Sequence, residues 1–383
     1  MAIQTENRWP CDKCGANLQF APGQAQLVCA NCGNVQAIPV ASDRKRARAM
    51  VEHDVATGLR DDLPATASEE VRTTHCPSCG AVVEFQGAEH ATECPFCATP
   101  VVVDTGTQRL IKPQGVVPFQ LTENQARGAL VAWMGSLWFA PNTLLEYARK
   151  GRAMNGIYVP FWTFDAATSS DYRGQRGDNY TETRSVMRDG KQETESVTRT
   201  RWTNVSGHVA RDFDDVMVMA STTLPQQLGD DLTPWDLSQM EPYSPDFLAG
   251  FQAEGYTVPL ADGHATGQDK MSAAIRRDVE ADIGGDSQRI DSVDTDWRDE
   301  TFKHVLLPIW MAAYKYNAKS YRFLVNGQTG EVQGERPYSW WKIGFAVLGV
   351  AVLVLGAIYL NDPGTFGLAT PAWLQNLHGP SFQ

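Results

Sequence analysis

All eight cysteines of the chain fall into two copies of one pattern, C-x2-C-x14-C-x2-C: Cys11, Cys14, Cys29 and Cys32, then Cys76, Cys79, Cys94 and Cys97. The second copy repeats the first at a constant offset of 65 positions, and its flank CPSCGAVVEF answers CDKCGANLQF. Such spacing predicts two small β-hairpin zinc ribbons. A C-x2-C turn brings two sulfurs to one ion at about 2.3 Å, and the returning hairpin supplies two more. Gly15, Gly33 and Gly80 follow the second cysteine of three of the four pairs, where the turn needs positive φ; Ala98 stands at the fourth. A module this small buries too little apolar surface to fold alone, so two structural Zn2+ ions are expected to supply the missing free energy, on the order of 10 kcal/mol each.

Two disulfides per module, a rubredoxin-like iron and a redox dithiol are the competing readings of four cysteines. The chain opens without a signal-peptide pattern, and no flavin, thioredoxin or ferredoxin signature accompanies the cysteines. His75 abuts Cys76 and reads as a solvated neighbour, because four sulfurs already complete a tetrahedron.

Near the other end, Ile343 to Leu360 is an uncharged apolar run, bordered by Trp340, Trp341 and Lys342 before it and by Asn361 and Asp362 after it. It reads as a single transmembrane helix; a buried core helix is the alternative. Arg322, Arg336 and Lys342 precede the run, whereas Asn361 to Gln383 contains no lysine or arginine. The charge bias therefore predicts a cytoplasmic N-terminal part and an external tail. A reducing compartment would also keep the thiolates available for metal.

A net charge of −12 argues against broad affinity for nucleic acids or anionic lipids. The local exception is Arg44, Lys45, Arg46 and Arg48, placed in a linker helix expected to start at Ser42 or Asp43. The expected organisation is α+β: zinc ribbon 1 over 1–40, a helical linker over 41–70, zinc ribbon 2 over 71–105, a mixed antiparallel-sheet domain over 111–338, a membrane helix over 340–361 and a tail over 362–383.

Within the middle domain, Thr122 to Gln125 forms a T-x-x-Q capping box ahead of an amphipathic helix, and a short helix is expected after Asn142. GIYVPFWTFDA, WTNVSGHVARDFDDVMVMA, HVLLPIWMAAYKY and SYRFLVNGQTGEV read as strands, with turns at Asp189-Gly190, Asn326-Gly327 and Thr329-Gly330. A helix over Gln268 to Ile283 should stop at Gly284 and Gly285. YVPFW and LLPIW look like two copies of one motif. A proline in a strand points to an edge or a bulge, so the two copies read as the starts of equivalent edge strands of a duplicated sheet.

The paired ribbons, with TRWTNVSGHVARDFDDVMVMASTTLP, IGGDSQRI, FKHVLLPIW and YRFLVNGQTGEVQGERP, resemble a bacterial family of membrane-anchored proteins with tandem TFIIB-type zinc ribbons. That family is often labelled primosomal protein N' (replication factor Y) or superfamily II helicase-like. The resemblance implies a cytoplasmic-membrane location and partners among membrane-stress or membrane-remodelling proteins, such as relatives of phage shock protein A or stomatin-like proteins. A helicase requires a G-x4-G-K-[ST] phosphate loop, which the sequence lacks; Gly190-Lys191 is followed by Gln192. No nucleotide is therefore expected to bind.

Candidate catalytic groups are sparse. Asp212, Asp214 and Asp215 read as solvated carboxylates at a strand end, with metal or acid–base chemistry as the alternative. Asp291, Asp294, Asp296, Asp299 and Glu300 read as a flexible acidic loop without the glycine of a calcium site. His53, His90, His208, His264, His304 and His378 lack ligand spacing. The expectation is a non-enzymatic membrane-anchored adaptor. A membrane-tethered nucleic-acid binder and an enzyme of unrecognised type in the middle domain are the alternatives.

Overall fold

A computed structural model describes residues 9–39, 42, 50–60, 62–64, 67–78, 80–84, 91–94, 99–102, 107–138, 154–188, 191–316, 319–335 and 340–361. It divides into two units, one holding 1–130 and 153–334 and the other 131–152 and 335–383. The larger unit is α+β. It begins with a three-stranded sheet of β1 (Leu18–Phe20), β2 (Gln26–Cys29) and β3 (Val35–Ala37). β4 (His53–Asp54) and α1 (Val55–Leu59) follow, then β5 (Ser68–His75), β6 (Val82–Glu84), β7 (Ala91–Glu93), β8 (Pro100–Val102), β9 (Thr107–Ile111) and β10 (Gly115–Val116). α2 (Glu123–Ser136) precedes two very long strands, β11 (Asn155–Arg188) and β12 (Lys191–Met219). After α3 (Gln226–Asp230), β13 (Glu241–Pro242) and β14 (Gln252–Ala253) come α4 (Leu260–Ile283), β15 (Ser287–Tyr316), β16 (Lys319–Asn326) and β17 (Val332–Gly334). The smaller unit holds α5 (Trp340–Asn361).

β11 runs between β12 and β15, antiparallel to both. The three strands form a blade with α4 along one face. At its base, Ile157, Tyr158, Val159, Trp162 and Phe164 are almost completely buried. One side of the sheet packs Ile157, Val159, Phe161, Val305, Leu307 and Ile309 into one cluster; the other packs Trp162, Phe164, Leu260, Met271 and Phe302 into a second. Farther out, among the described residues only the α4 side is covered, with Tyr172 against Ile275, Val279 and Ile283. This sidedness follows from the two-residue period of the strands.

Several boundaries differ from expectation. α4 starts at Leu260 rather than Gln268, because its first turns use Gly263 and Gly267 for close approach to the sheet. A Cβ at Gly263 would lie 2.5 Å from the Trp162 ring, and one at Gly267 would lie 2.7 Å from the Phe164 ring. Glycine lowers helix propensity in isolation, so packing overrides the local signal here. The helix does end as expected, at Gly284, whose φ is +65° and whose N–H donates to Glu280 O. Asp291 to Glu300 is not a loop but part of β15. Val293 and Trp297 turn toward α4, and Asp294 and Asp296 occupy the alternate positions on the strand.

YVPFW and LLPIW do not lie on edge strands. They pair with each other at the centre of the sheet, with Tyr158 opposite Pro308 and Pro160 opposite Leu306. Pro160 fits because β12 ends at Met219, opposite Phe161, and β14 takes over beside Tyr158. Pro308 likewise sits between β10, which reaches Leu306, and β16, whose last residue Asn326 lies opposite Ile309. Each proline occupies a gap between neighbouring strands, where no ladder donor is required.

The linker expected to be one helix from Ser42 is broken. β4 pairs with β15, and Asp54 then caps α1 by accepting a hydrogen bond from Thr57 N. Arg44, Lys45, Arg46 and Arg48 lie outside the described residues, as do the helix expected after Asn142 and the Asp189-Gly190 turn. The Thr122–Gln125 box is present: Thr122 N donates to Gln125 Oε1, and Gln125 N donates to Thr122 Oγ1.

Candidate metal centre

Two tight turns of the N-terminal sheet carry Cys11, Cys14, Cys29 and Cys32. In the first, Cys11 N donates to Ala16 O and Gly15 N donates to Cys11 O; in the second, Cys29 N donates to Asn34 O and Gly33 N donates to Cys29 O. Gly15 and Gly33 have φ of +70° and +72°, the left-handed conformation that the sequence anticipates. The antiparallel register places Leu18 opposite Cys29 and thereby brings the two turns together.

All four sulfurs lie within 4.8 Å of one another, with Cys11 to Cys32 and Cys14 to Cys29 each at 3.5 Å. A tetrahedron with 2.3 Å arms has edges of about 3.8 Å, so the donor set fits zinc in number, chemistry and spacing. Burial pushes the Cys11 thiol up, but the backbone N–H groups of Lys13 and Cys14, with the neighbouring sulfurs, bring it down to about 6. Such donors favour the thiolate at Cys11, whereas at Cys32 the Asn34 backbone N–H lowers the thiol but the neighbouring sulfurs and burial push it up to about 12. Cys11 and Cys29 are buried, whereas Cys14 and Cys32 reach the surface.

The sheet carrying this centre is attached to the large body rather than hung from it. Phe20 N donates to Ala249 O, Gly23 N to Phe119 O, and Trp9 Nε1 to Asp246 Oδ1 at 2.8 Å. The Phe20 ring stands edge-on to Phe247 at 5.6 Å. A cavity of about 590 Å³ opens beside this junction, lined in part by Phe20, Ile38, Pro118, Tyr243 and Phe247.

Of the second cysteine set, Cys79 and Cys97 lie outside the described residues. Cys76 and Cys94 are buried and belong to the cluster formed by Ile157, Val159 and Phe161. Their backbone repeats the first centre: Cys76 N donates to Ala81 O, Gly80 N to Cys76 O, and Cys94 N to Thr99 O.

A second constellation was not visible as a unit in the sequence. Bulges interrupt both neighbours of β11 near Asp165, and Asp215 and Asp299 there adopt positive φ of 53° and 52°. Lys303 Nζ lies 2.6 Å from Glu52 and 2.7 Å from Asp215, while Asp215 N donates to Asp165 Oδ1 at 2.7 Å. Asp214 also approaches Asp165 and Asp215, but Asp212 is exposed and stands apart. RDFDDV therefore lies at a mid-strand bulge, not a strand end. Burial raises Glu52, yet hydrogen bonds with Asp165, Lys303 and Thr301 outweigh it and bring the carboxyl down to about 2. Burial and the adjoining Glu52 push Asp165 up to about 7. The lysine ammonium already occupies the charge-balancing position among these carboxylates.

The described histidines do not converge. His304 is fully buried; its Nδ1 donates to Ile111 O, and burial lowers it to about 4. His264 pairs with Glu300 at 2.6 Å and His208 with Asp171 at 2.9 Å, on separate parts of the blade.

The described fold is thus an α+β protein with a large antiparallel sheet, a four-cysteine centre suited to zinc, and a C-terminal helix. Within that helix, Trp341–Ile358 is long and apolar enough to cross a membrane. The chain is 26% identical over 349 residues to the uncharacterized protein YdjG of Bacillus subtilis (strain 168), covering 90% of this chain and 94% of that one. No family model matches the chain, and no solved structure matches it.

Proposed function

We propose that the chain is a membrane-anchored zinc-binding adaptor. In this reading Cys11, Cys14, Cys29 and Cys32 hold one structural zinc and Cys76, Cys79, Cys94 and Cys97 hold a second, making two ribbons. The observation that carries the reading is the union of a four-thiolate knuckle with a large sheet body through main-chain hydrogen bonds. Such a union presents a fixed surface rather than a mobile finger. Matching backbone bonds around Cys76 and Cys94 support the second centre. α5 serves as the single-pass anchor in the bacterial cytoplasmic membrane, with the ribbons on the cytoplasmic side. Its partners are proteins, and the resemblance drawn from the sequence favours membrane-stress proteins among them.

The test is chemical cross-linking of the full-length chain in its own membranes, beside Cys14→Ser, which changes an exposed ligand, and Cys76→Ser. Elemental analysis should give two zinc ions per wild-type chain and fewer in each variant. Protein partners should be lost from a variant that retains the far-UV signature of the sheet. A salt-dependent shift of DNA or RNA that disappears when Arg44, Lys45, Arg46 and Arg48 become alanine would instead establish the nucleic-acid reading.

A further inference from the structure

The blade outruns its own third strand. β15 accompanies β11 only to Gly177, which pairs with Ser287; Asp286 then caps the edge by accepting from Asn179 N. α4 has already ended at Ile283. Beyond this level β11 and β12 continue as a two-stranded arm to the pair Arg188–Lys191. Among the described residues, no strand pairs with the outer edge of β11 from Tyr180 onward. A bare two-stranded ribbon is marginal in water.

Of the usual protections against pairing, this edge carries only charged side chains. Tyr180 to Met187 contains no proline and no lysine, and the pairing of β11 with β12 runs without a bulge from Ala166 onward. The residue order of the edge is complementary to itself. In an antiparallel pair centred on Thr183, Glu182 falls opposite Arg184 of a second strand, Thr181 opposite Ser185, and Tyr180 opposite Val186. The charges, the hydroxyls and the larger side chains all match. Within one chain Glu182 already meets Arg199 at 2.6 Å, and Tyr180 lies under Arg201, so the row that would meet its copy is ordered on its inner side.

We infer that the outer edge of β11 between Tyr180 and Val186 pairs antiparallel with the same segment of a second copy of this chain, joining two arms about a two-fold axis at Thr183. The second β11 takes the position that β15 vacates. Directly opposite charged residues stabilise such a pair and like charges oppose it, and two-fold symmetry repeats each contact twice.

The test uses two differently tagged full-length chains, co-expressed and purified in detergent. Wild-type chains should co-purify. Glu182→Arg alone places arginine opposite arginine, and Arg184→Glu alone places glutamate opposite glutamate; each should reduce co-purification about tenfold. Glu182→Arg mixed with Arg184→Glu should restore it, because opposite charges face each other again between chains although the Glu182→Arg arm has not regained its own pair with Arg199. Three outcomes would overturn the inference. Wild-type chains that do not associate would do so. Single variants that associate as well as wild type would place the contact elsewhere, such as α5. A mixture that fails to recover would mean that the substitutions merely damage the arm.

Discussion

The base and the tip of the blade are made from the same two strands but are held by different forces. At the base, Trp162 and Phe164 are buried against α4, and Ile157, Val159 and Phe161 are buried on the opposite side. At the tip, Tyr180 is 40% exposed and Met187 74% exposed, and among the described residues cross-strand pairs alone hold them. Strand geometry is therefore not evidence of a core. The difference teaches that β11 is a structural strand for its first third and an extended arm for its last.

Truncating the largest fully buried ring of the base should give the largest effect. Trp162→Ala removes an indole that also donates to Val258 O, and it should cost about 3–5 kcal/mol of unfolding free energy, read by denaturant melts of the zinc-loaded chain. A cost below about 1 kcal/mol would erase the proposed contrast. At the bulges, Lys303→Met leaves Glu52 and Asp215 without their cation and should cost about 3 kcal/mol, since half of a largely buried ion pair is removed.

The pH dependence sharpens the comparison, because the titrating groups lie toward the base. Burial pushes Glu254 up to about 7 despite hydrogen bonds from Thr223 and Ser221. Its folded-state value lies above its ordinary 4.5, so the stability it contributes is complete below pH 4.5 and lost as pH rises through 7. The total is about 3 kcal/mol. Glu52 acts in the opposite sense: its stabilisation is present above pH 4.5 and lost as pH falls toward 2. Glu254→Gln should lessen the slope of the melting profile between pH 5 and 8, where Asp165 also titrates, and leave the acid limb intact; an unchanged slope would remove Glu254 from the account.

Smaller changes follow. Gly263→Ala pushes a methyl into Trp162 and should cost about 1–3 kcal/mol, although alanine is the better helix former. Thr181→Ala at the tip should change the stability of the body by less than about 0.5 kcal/mol. A larger loss would mean that the arm is coupled to the core.

The sequence reveals the base better than the tip. The apolar run of Tyr158 to Phe164 announces a strand, and the cysteine spacing announces the knuckles down to the handedness of Gly15, Gly33 and Gly80. Strand signals fade after Ala166 because alternate positions there need cover only one helix, and past Gly177 none. Asp291 to Glu300 looks like a loop for the same reason: one edge of its alternation is acidic, and the other meets a helix that the sequence begins eight residues too late. The Glu52–Asp165–Lys303 network has no local signature, since its members are brought together only by strand register.

The pairing of Pro160 with Leu306 also sets a schedule for folding. The hairpin of β11 and β12 is complete at Met219, about 90 positions before Leu306, so at synthesis rates of roughly 5–20 residues per second it exists for about 4–17 s before its partner in β15 has been made. During that interval Tyr158, Phe161, Trp162 and Phe164 have no β15 neighbour on one edge, and until Ile283 has been made Trp162 and Phe164 have no complete α4 above them. Long-range pairing of this kind forms slowly and leaves apolar surface open to aggregation. The nascent chain should therefore depend on chaperones during that interval, and the demand should end when β15 closes over β11.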